Sequence, residues 1–174
     1  MTFEIHSDIT NHSMTVAARA MRRVLRRKRN IIWAIFGWSV FFINALLLIP
    51  FDGEPFTLDA STVISLLVEV MLLSVLLFQD RFNGIIARKN ALTGTKEYHV
   101  AFGEESYTVV TEVTTSTFRY ELIDAMAESQ GYIILLMKKR YAQPLDKRTL
   151  TGGTVEEFKR FLEEKTGKTF RRVK

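Results

Sequence analysis

Two long apolar blocks constrain the fold of this chain more than any other feature. The first covers residues 31–49 without an ionisable side chain, and the second covers residues 60–78 with Glu69 as its single charged group. Each block is nineteen residues long. At about 1.5 Å per residue, a helix of that length crosses the hydrocarbon core of a bilayer, roughly 30 Å thick. We therefore expect two transmembrane helices joined by an extracytoplasmic loop over residues 50–59.

Basic residues flank both blocks on the same side, which predicts the orientation of the spans. The chain has 24 Lys and Arg against 19 Asp and Glu. Seven of the basic residues precede the first block, namely Arg19, Arg22, Arg23, Arg26, Arg27, Lys28 and Arg29. Arg81, Arg88 and Lys89 follow the second block, and the loop has no Lys or Arg. Since basic flanks stay inside, we expect a multi-pass protein of the cell membrane with both termini cytoplasmic.

The seven-residue basic run also limits the classes of partner. Outside it, basic and acidic residues are nearly balanced, at 17 against 19. A nucleic-acid-binding domain is expected to carry a broader basic face, so we expect no nucleic acid. A basic cluster beside a span is typical of an orientation signal and of contact with anionic lipids of the inner leaflet.

The remaining segments predict a cytoplasmic α+β part. Residues 1–30 contain a short alternating segment, typical of a strand, and a basic amphipathic helix that can run unbroken into the first span. We interpret residues 79–95 as a linker. Residues 96–174 show period-two alternation from Tyr98 onward, which predicts an antiparallel meander of about five strands. Thr154 and Glu157 form a capping box at the start of a closing amphipathic helix.

The order of these parts resembles the YcxB-like proteins of bacteria. The resemblance is clearest in YAQPLDKRTLTGGTVEEFKRFLEEK, residues 141–165, and in FRYELIDAMAESQGYIILLM, residues 118–137. Tyr120 stands where the family favours Trp. The resemblance implies two spans and a cytoplasmic strand-and-helix domain, but no settled activity. A meander closed by a helix is also similar to pleckstrin-homology-like domains, by analogy of fold alone.

Glu69 is the sharpest single candidate, because a carboxylate inside a span is costly and often functional. One interpretation is a proton or cation site. The other, which we favour, is that Glu69 is protonated or hydrogen-bonded to the neighbouring helix near Ser39, Trp38 or Asn44. A transport role would also require oligomers, since two helices cannot enclose a substrate path.

A second candidate is a basic edge patch at the end of the predicted sheet. Its members are Lys138, Lys139, Arg140, Lys147 and Arg148. Such a patch can bind a phosphate or an inositol-like head group, although charged sheet edges are common without a ligand. Surface or strand positions explain the three histidines, His6, His12 and His99.

The leading functional hypothesis is a non-enzymatic, membrane-anchored interaction or regulatory module that binds an unknown protein or peptide. The sequence has no cysteine and no pattern typical of catalysis, so we expect no cofactor, metal or catalytic residue. A small oligomeric transporter or channel subunit using Glu69 is the alternative. A membrane-resident bacteriocin immunity protein is a third, allowed by size and topology. A homo-oligomer is compatible with each of the three.

Overall fold

The computed structural model describes residues 2–49, 58–90, 95–137 and 141–173. It has four α-helices and eight strands in these ranges. In chain order they are β1 Phe3–Asp8, α1 Asn11–Val24, α2 Arg27–Leu47, α3 Ala60–Lys89, β2 Glu97–Phe102, β3 Ser106–Thr111, β4 Thr115–Arg119, β5 Ile123–Ser129, β6 Tyr132–Met137, β7 Tyr141–Asp146, α4 Val155–Thr166 and β8 Phe170–Arg172.

The helices α2 and α3 are long and apolar enough to cross a membrane, as the two apolar blocks predict. Asp59 begins α3, since its carboxylate accepts a hydrogen bond from the Thr62 backbone N–H at 2.9 Å. Much of the predicted linker, residues 79–95, is helical, because α3 continues unbroken to Lys89. Residues 50–57 of the predicted loop and residues 91–94 lie outside the described ranges.

A glycine sets how closely α2 and α3 approach each other. A Cβ at Gly37 would lie only 2.6 Å from the Leu76 Cδ2 atom, so the Leu76 side chain fills the space that a larger residue would need. Small residues permit this type of close helix packing in membranes.

The soluble part contains two four-stranded sheets, where the sequence predicted one meander of about five strands. The first sheet has the strand order β1-β2-β3-β4 and the second β7-β6-β5-β8. All neighbours are antiparallel except β5 and β8, which pair in parallel. The N-terminal strand β1 therefore has the partner that its alternation required. It pairs with β2, which follows both predicted spans in the sequence.

The larger core combines residues of both sheets with α4. Phe158 of α4 lies in this core and is fully buried, with its ring 4.8 Å from that of Phe102 and 5.2 Å from that of Phe3. The predicted capping box is confirmed, since Thr154 and Glu157 exchange hydrogen bonds at the start of α4. The α+β architecture is therefore as predicted, with β8 added after the closing helix.

A second core lies between α1 and the second sheet. Val16, Ala17, Ala20 and Met21 of α1 pack with Ala127, Ile134, Leu136 and Val173. Strand β6 is consequently buried on both faces, which explains its continuous apolar sequence. The prediction that the basic helix runs unbroken into the span is wrong: α1 ends at Val24 and α2 begins at Arg27. Neither Gly nor Pro lies at this break, and α1 packs against the second sheet as far as Leu25.

Candidate functional site

The region that joins the membrane helices to the sheets is centred on Asp80 of α3. Arg22 of α1 donates to its carboxylate from Nε at 2.6 Å and from Nη2 at 2.5 Å, and Arg19 lies 3.5 Å away. The Asp80 side chain is only 14% exposed. One turn further along α3, a Cβ at Gly84 would lie 2.7 Å from the Thr15 backbone nitrogen, so α1 and α3 cross in direct contact there. We call this contact, together with the pairing of Asp80 with Arg19 and Arg22, the α1–α3 joint.

The joint changes the interpretation of the basic run. Arg19 and Arg22 were predicted to contact anionic lipids, but their partly buried side chains pair with Asp80. Arg23, Arg27, Lys28 and Arg29 are exposed, and Arg26 is half-buried. Lipid contact therefore stays a prediction for the second half of the run.

A cavity of about 980 Å³ lies beside the joint. We call it the juxtamembrane cavity, because its walls come from the ends of α1, α2 and α3 that adjoin the predicted spans and from β2, β3 and β7. Such a volume is at the upper end of the usual range for ligand sites. Arg22, whose charge is paired with that of Asp80, lines it together with Arg26 and the exposed Arg29, and the described lining residues include no carboxylate. The cavity therefore favours an anionic occupant.

Two polar side chains in the cavity wall have no partner within the described ranges. Both polar atoms of the Gln143 amide are buried without a hydrogen bond, and so is the Thr95 hydroxyl. Gln143 is only 1% exposed. Tyr98 is satisfied differently, since its hydroxyl donates to the Pro144 carbonyl, and burial raises the pKa of that phenol well above its ordinary value. A buried amide without partners costs stability unless a ligand or water satisfies it.

The predicted basic edge patch is largely neutralised by neighbouring carboxylates. Lys147 donates to Glu128 at 2.6 Å, and Lys159 donates to the other oxygen at 2.8 Å. These two bonds lower the pKa of Glu128 to about 2. Arg148 pairs with Asp146 at 2.6 Å. Lys138, Lys139 and Arg140 lie outside the described residues. The described members of the patch are thus ion-paired and do not form a basic surface together.

Glu69 is buried in α3, but the predicted hydrogen bond to the neighbouring helix is absent. The residue is 8% exposed, and neither carboxylate oxygen has a partner in the described part of the chain. Ser39 is exposed on α2. The Asn44 amide donates instead to the Val40 carbonyl of its own helix at 2.9 Å. The geometry thus leaves a carboxylate without a partner inside a predicted span.

A cluster of three polar side chains on the outer face of the first sheet was not predicted. His6 of β1 lies 3.0 Å from Glu97 of β2 and 3.8 Å from Asp8. One ligand atom from each lies within 4.8 Å of the others, so the three residues could hold a metal ion. Each side chain is largely exposed, and surface ion pairing accounts for the arrangement. Only the pairing of β1 with β2 brings His6 and Glu97 together, which is why sequence spacing gave no signal.

Comparison with known proteins identifies part of the chain. Residues 102–162 match the family model described as YcxB-like protein. The chain carries a YcxB-like domain. This match confirms the resemblance drawn from residues 118–137 and 141–165. No similar curated protein and no similar solved structure was found.

The YcxB-like domain supplies only one wall of the juxtamembrane cavity. Val109, Thr111, Tyr141 and Gln143 belong to the matched range, whereas the arginines and the walls from α1, α2 and α3 lie outside it. The cavity was missed because residues from distant parts of the sequence form it. A signal did exist in β7, where Gln143 is polar between Tyr141 and Leu145 on the same strand face.

Proposed function

We propose that this protein is a non-enzymatic, membrane-anchored interaction module, in which a helical hairpin holds the YcxB-like domain against the inner leaflet. The observation that carries this proposal is the α1–α3 joint. Helix α1 packs on the second sheet through its apolar face and on α3 through Arg22 and Thr15. The hairpin and the domain are therefore joined by packed side chains as well as by the chain itself.

The proposal places both termini in the cytoplasm, on the basis of the basic flanks and the loop without Lys or Arg. Reporter fusions after Asp52 and after Lys174 test this orientation. We expect the first to report outside and the second inside. Two reports from the same side would contradict a hairpin with a cytoplasmic domain.

Edge strand β4 is the surface that we propose for the protein partner. It pairs with β3 on one side, and the described residues place no strand on its other side. Its residues are exposed or half-buried, and Val113 beside it is an exposed apolar residue. An extended peptide can add to such an edge through backbone hydrogen bonds.

A site-specific crosslink tests this surface in the native membrane. A photoreactive benzoylphenylalanine replaces Thr117 of β4 in one variant and Arg160, on the exposed face of α4, in the control. We expect a discrete crosslinked partner from position 117 and none from position 160. Equal products from both positions would indicate random collision, and no product from position 117 would remove β4 as the binding edge.

A second function is favoured by one observation, the buried and unpartnered carboxylate of Glu69. In a coupled transporter, this carboxylate would exchange a proton or bind a cation, and oligomerisation would build the path. Glu69→Gln keeps the size but removes the titratable group. Proton or cation flux into liposomes by the wild-type protein, abolished by this substitution, would replace the interaction module with the transporter. Absence of flux from both proteins retains the interaction module.

A further inference from the structure

We propose that the juxtamembrane cavity binds the head group of one anionic phospholipid whose acyl chains stay in the inner leaflet. The proposal rests on the membrane placement of α2 and α3 described above, but it does not require a protein partner. Three observations support it: the position of the cavity, the charge of its wall and a buried amide of a lining residue.

The position of the cavity gives access from the membrane. Asn30 and Trp33 of α2 line it at the start of the first predicted span, and Gln79 of α3 lines it directly after the second. Trp33 is 64% exposed, and an indole at this depth is typical of the head-group region. A lipid in the adjoining leaflet can therefore place its head group in the cavity without leaving the bilayer.

The charge of the wall selects an anion. Arg22 is neutralised by Asp80, but Arg29 is exposed and also lines the cavity. A guanidinium binds phosphate oxygens through two parallel hydrogen bonds. A phosphodiester in the cavity would thus have an arginine among its lining residues, and no carboxylate among the described lining residues opposes it.

The buried amide favours a hydroxyl on the ligand in addition to the phosphate. Within the described residues, the Gln143 amide has both its NH2 group and its carbonyl oxygen without partners, and the Thr95 hydroxyl of the same cavity wall is also without one. A hydroxyl on the ligand can both donate and accept, so a hydroxylated head group such as that of phosphatidylglycerol matches this wall. Phosphatidylcholine has a cationic end without a hydrogen-bond donor and should be rejected, because it would leave the amide unpaired.

The experiment uses the full chain, delipidated in detergent, and counts bound lipid by native mass spectrometry. We expect one phosphatidylglycerol per chain, held at least tenfold more tightly than phosphatidylcholine. Glycerol phosphate is the soluble probe, since it carries the same phosphate and hydroxyls without acyl chains. Equal affinity for both lipids would overturn the proposal. Tight binding of glycerol phosphate would replace the lipid with a soluble phosphate ester.

Two variants and a matched control separate the cavity from general surface attraction. Arg29→Gln and Gln143→Leu should each weaken phosphatidylglycerol binding about tenfold. Arg81→Gln removes the same charge from an exposed position just after the second predicted span, outside the cavity wall, and should change the affinity less than twofold. Gln143→Leu should also raise the melting temperature of the lipid-free protein, because it removes a buried unpaired amide. Equal losses from Arg29→Gln and Arg81→Gln would show that surface charge alone holds the lipid.

Discussion

The hairpin and the double-sheet part of this protein bury their apolar residues in different ways. Helix α2 has no buried residue, and the buried residues of α3 are Glu69 and Gly84, neither of which is an apolar core residue. In β6, by contrast, every residue from Ile133 to Met137 is buried. The sheets thus form a core of their own, whereas the described residues of the two long helices leave most of their apolar surface uncovered, as is typical of predicted membrane spans. Helix α1 buries its apolar face against the second sheet and also contacts α3 of the hairpin.

The largest expected effect concerns whether the sheets fold without the N-terminal segment. A fragment of residues 95–174 lacks β1, which pairs with β2, and α1, which covers the second sheet. We expect it to show no cooperative unfolding transition by circular dichroism. Residues 2–25 joined to the fragment by a flexible glycine-serine linker should restore the transition. Cooperative unfolding of the fragment alone would mean that the core does not need the N-terminal segment.

Two phenylalanines test the comparison directly. Phe158 is 0% exposed in the core, and Phe42 is 63% exposed on α2. Phe158→Ala should lower the free energy of unfolding of the sheets by about 3–5 kcal/mol, because it leaves a cavity among packed rings. Phe42→Ala should leave that free energy unchanged. Amide hydrogen exchange of the full chain in detergent micelles measures this free energy in both variants. Similar losses of stability in the two variants would contradict the different environments of Phe158 and Phe42.

Asp80→Asn tests the α1–α3 joint between the two regions. The change keeps the size of the side chain but removes the charge that Arg19 and Arg22 pair with. We expect α1 to open more readily by about 1–3 kcal/mol, since two partly buried guanidinium groups lose their partner. Exchange rates of α1 peptides report this change. Asp124→Asn at an exposed position of β5 is the control, and equal effects would show that the joint does not fix α1.

The smallest expected effect is a pH dependence confined to the sheets. Hydrogen bonds from Lys147 and Lys159 lower the pKa of Glu128 from 4.5 to about 2 in the folded protein. The stabilisation is therefore full above pH 4.5 and is lost as the pH falls toward 2. Glu128→Gln should cost about 1 kcal/mol at neutral pH, because the pairs are partly screened by solvent. The variant and wild type should converge near pH 2 in hydrogen exchange, and a constant gap would contradict this pairing.

Local patterns were sufficient where one segment decides its own structure. The two spans follow from unbroken apolar blocks, and the start of α4 follows from Thr154 and Glu157. The capping box lies within four consecutive residues, so no distant contact is needed to form it. The YcxB-like match over residues 102–162 likewise rests on segments whose strands are close in sequence.

Long-range contacts decided the rest. The division into two sheets depends on pairs such as Phe3 with Phe102, which alternation alone does not specify. The sequence alone shows that burial of Arg22, Glu69 or Gln143 costs free energy unless the polar group has a partner. Tertiary structure decides that Arg22 gains Asp80, while Glu69 and Gln143 find no partner among the described residues. The reason is physical: apolar periodicity is a property of one segment, whereas the partner of a buried polar group depends on which other segments pack against it.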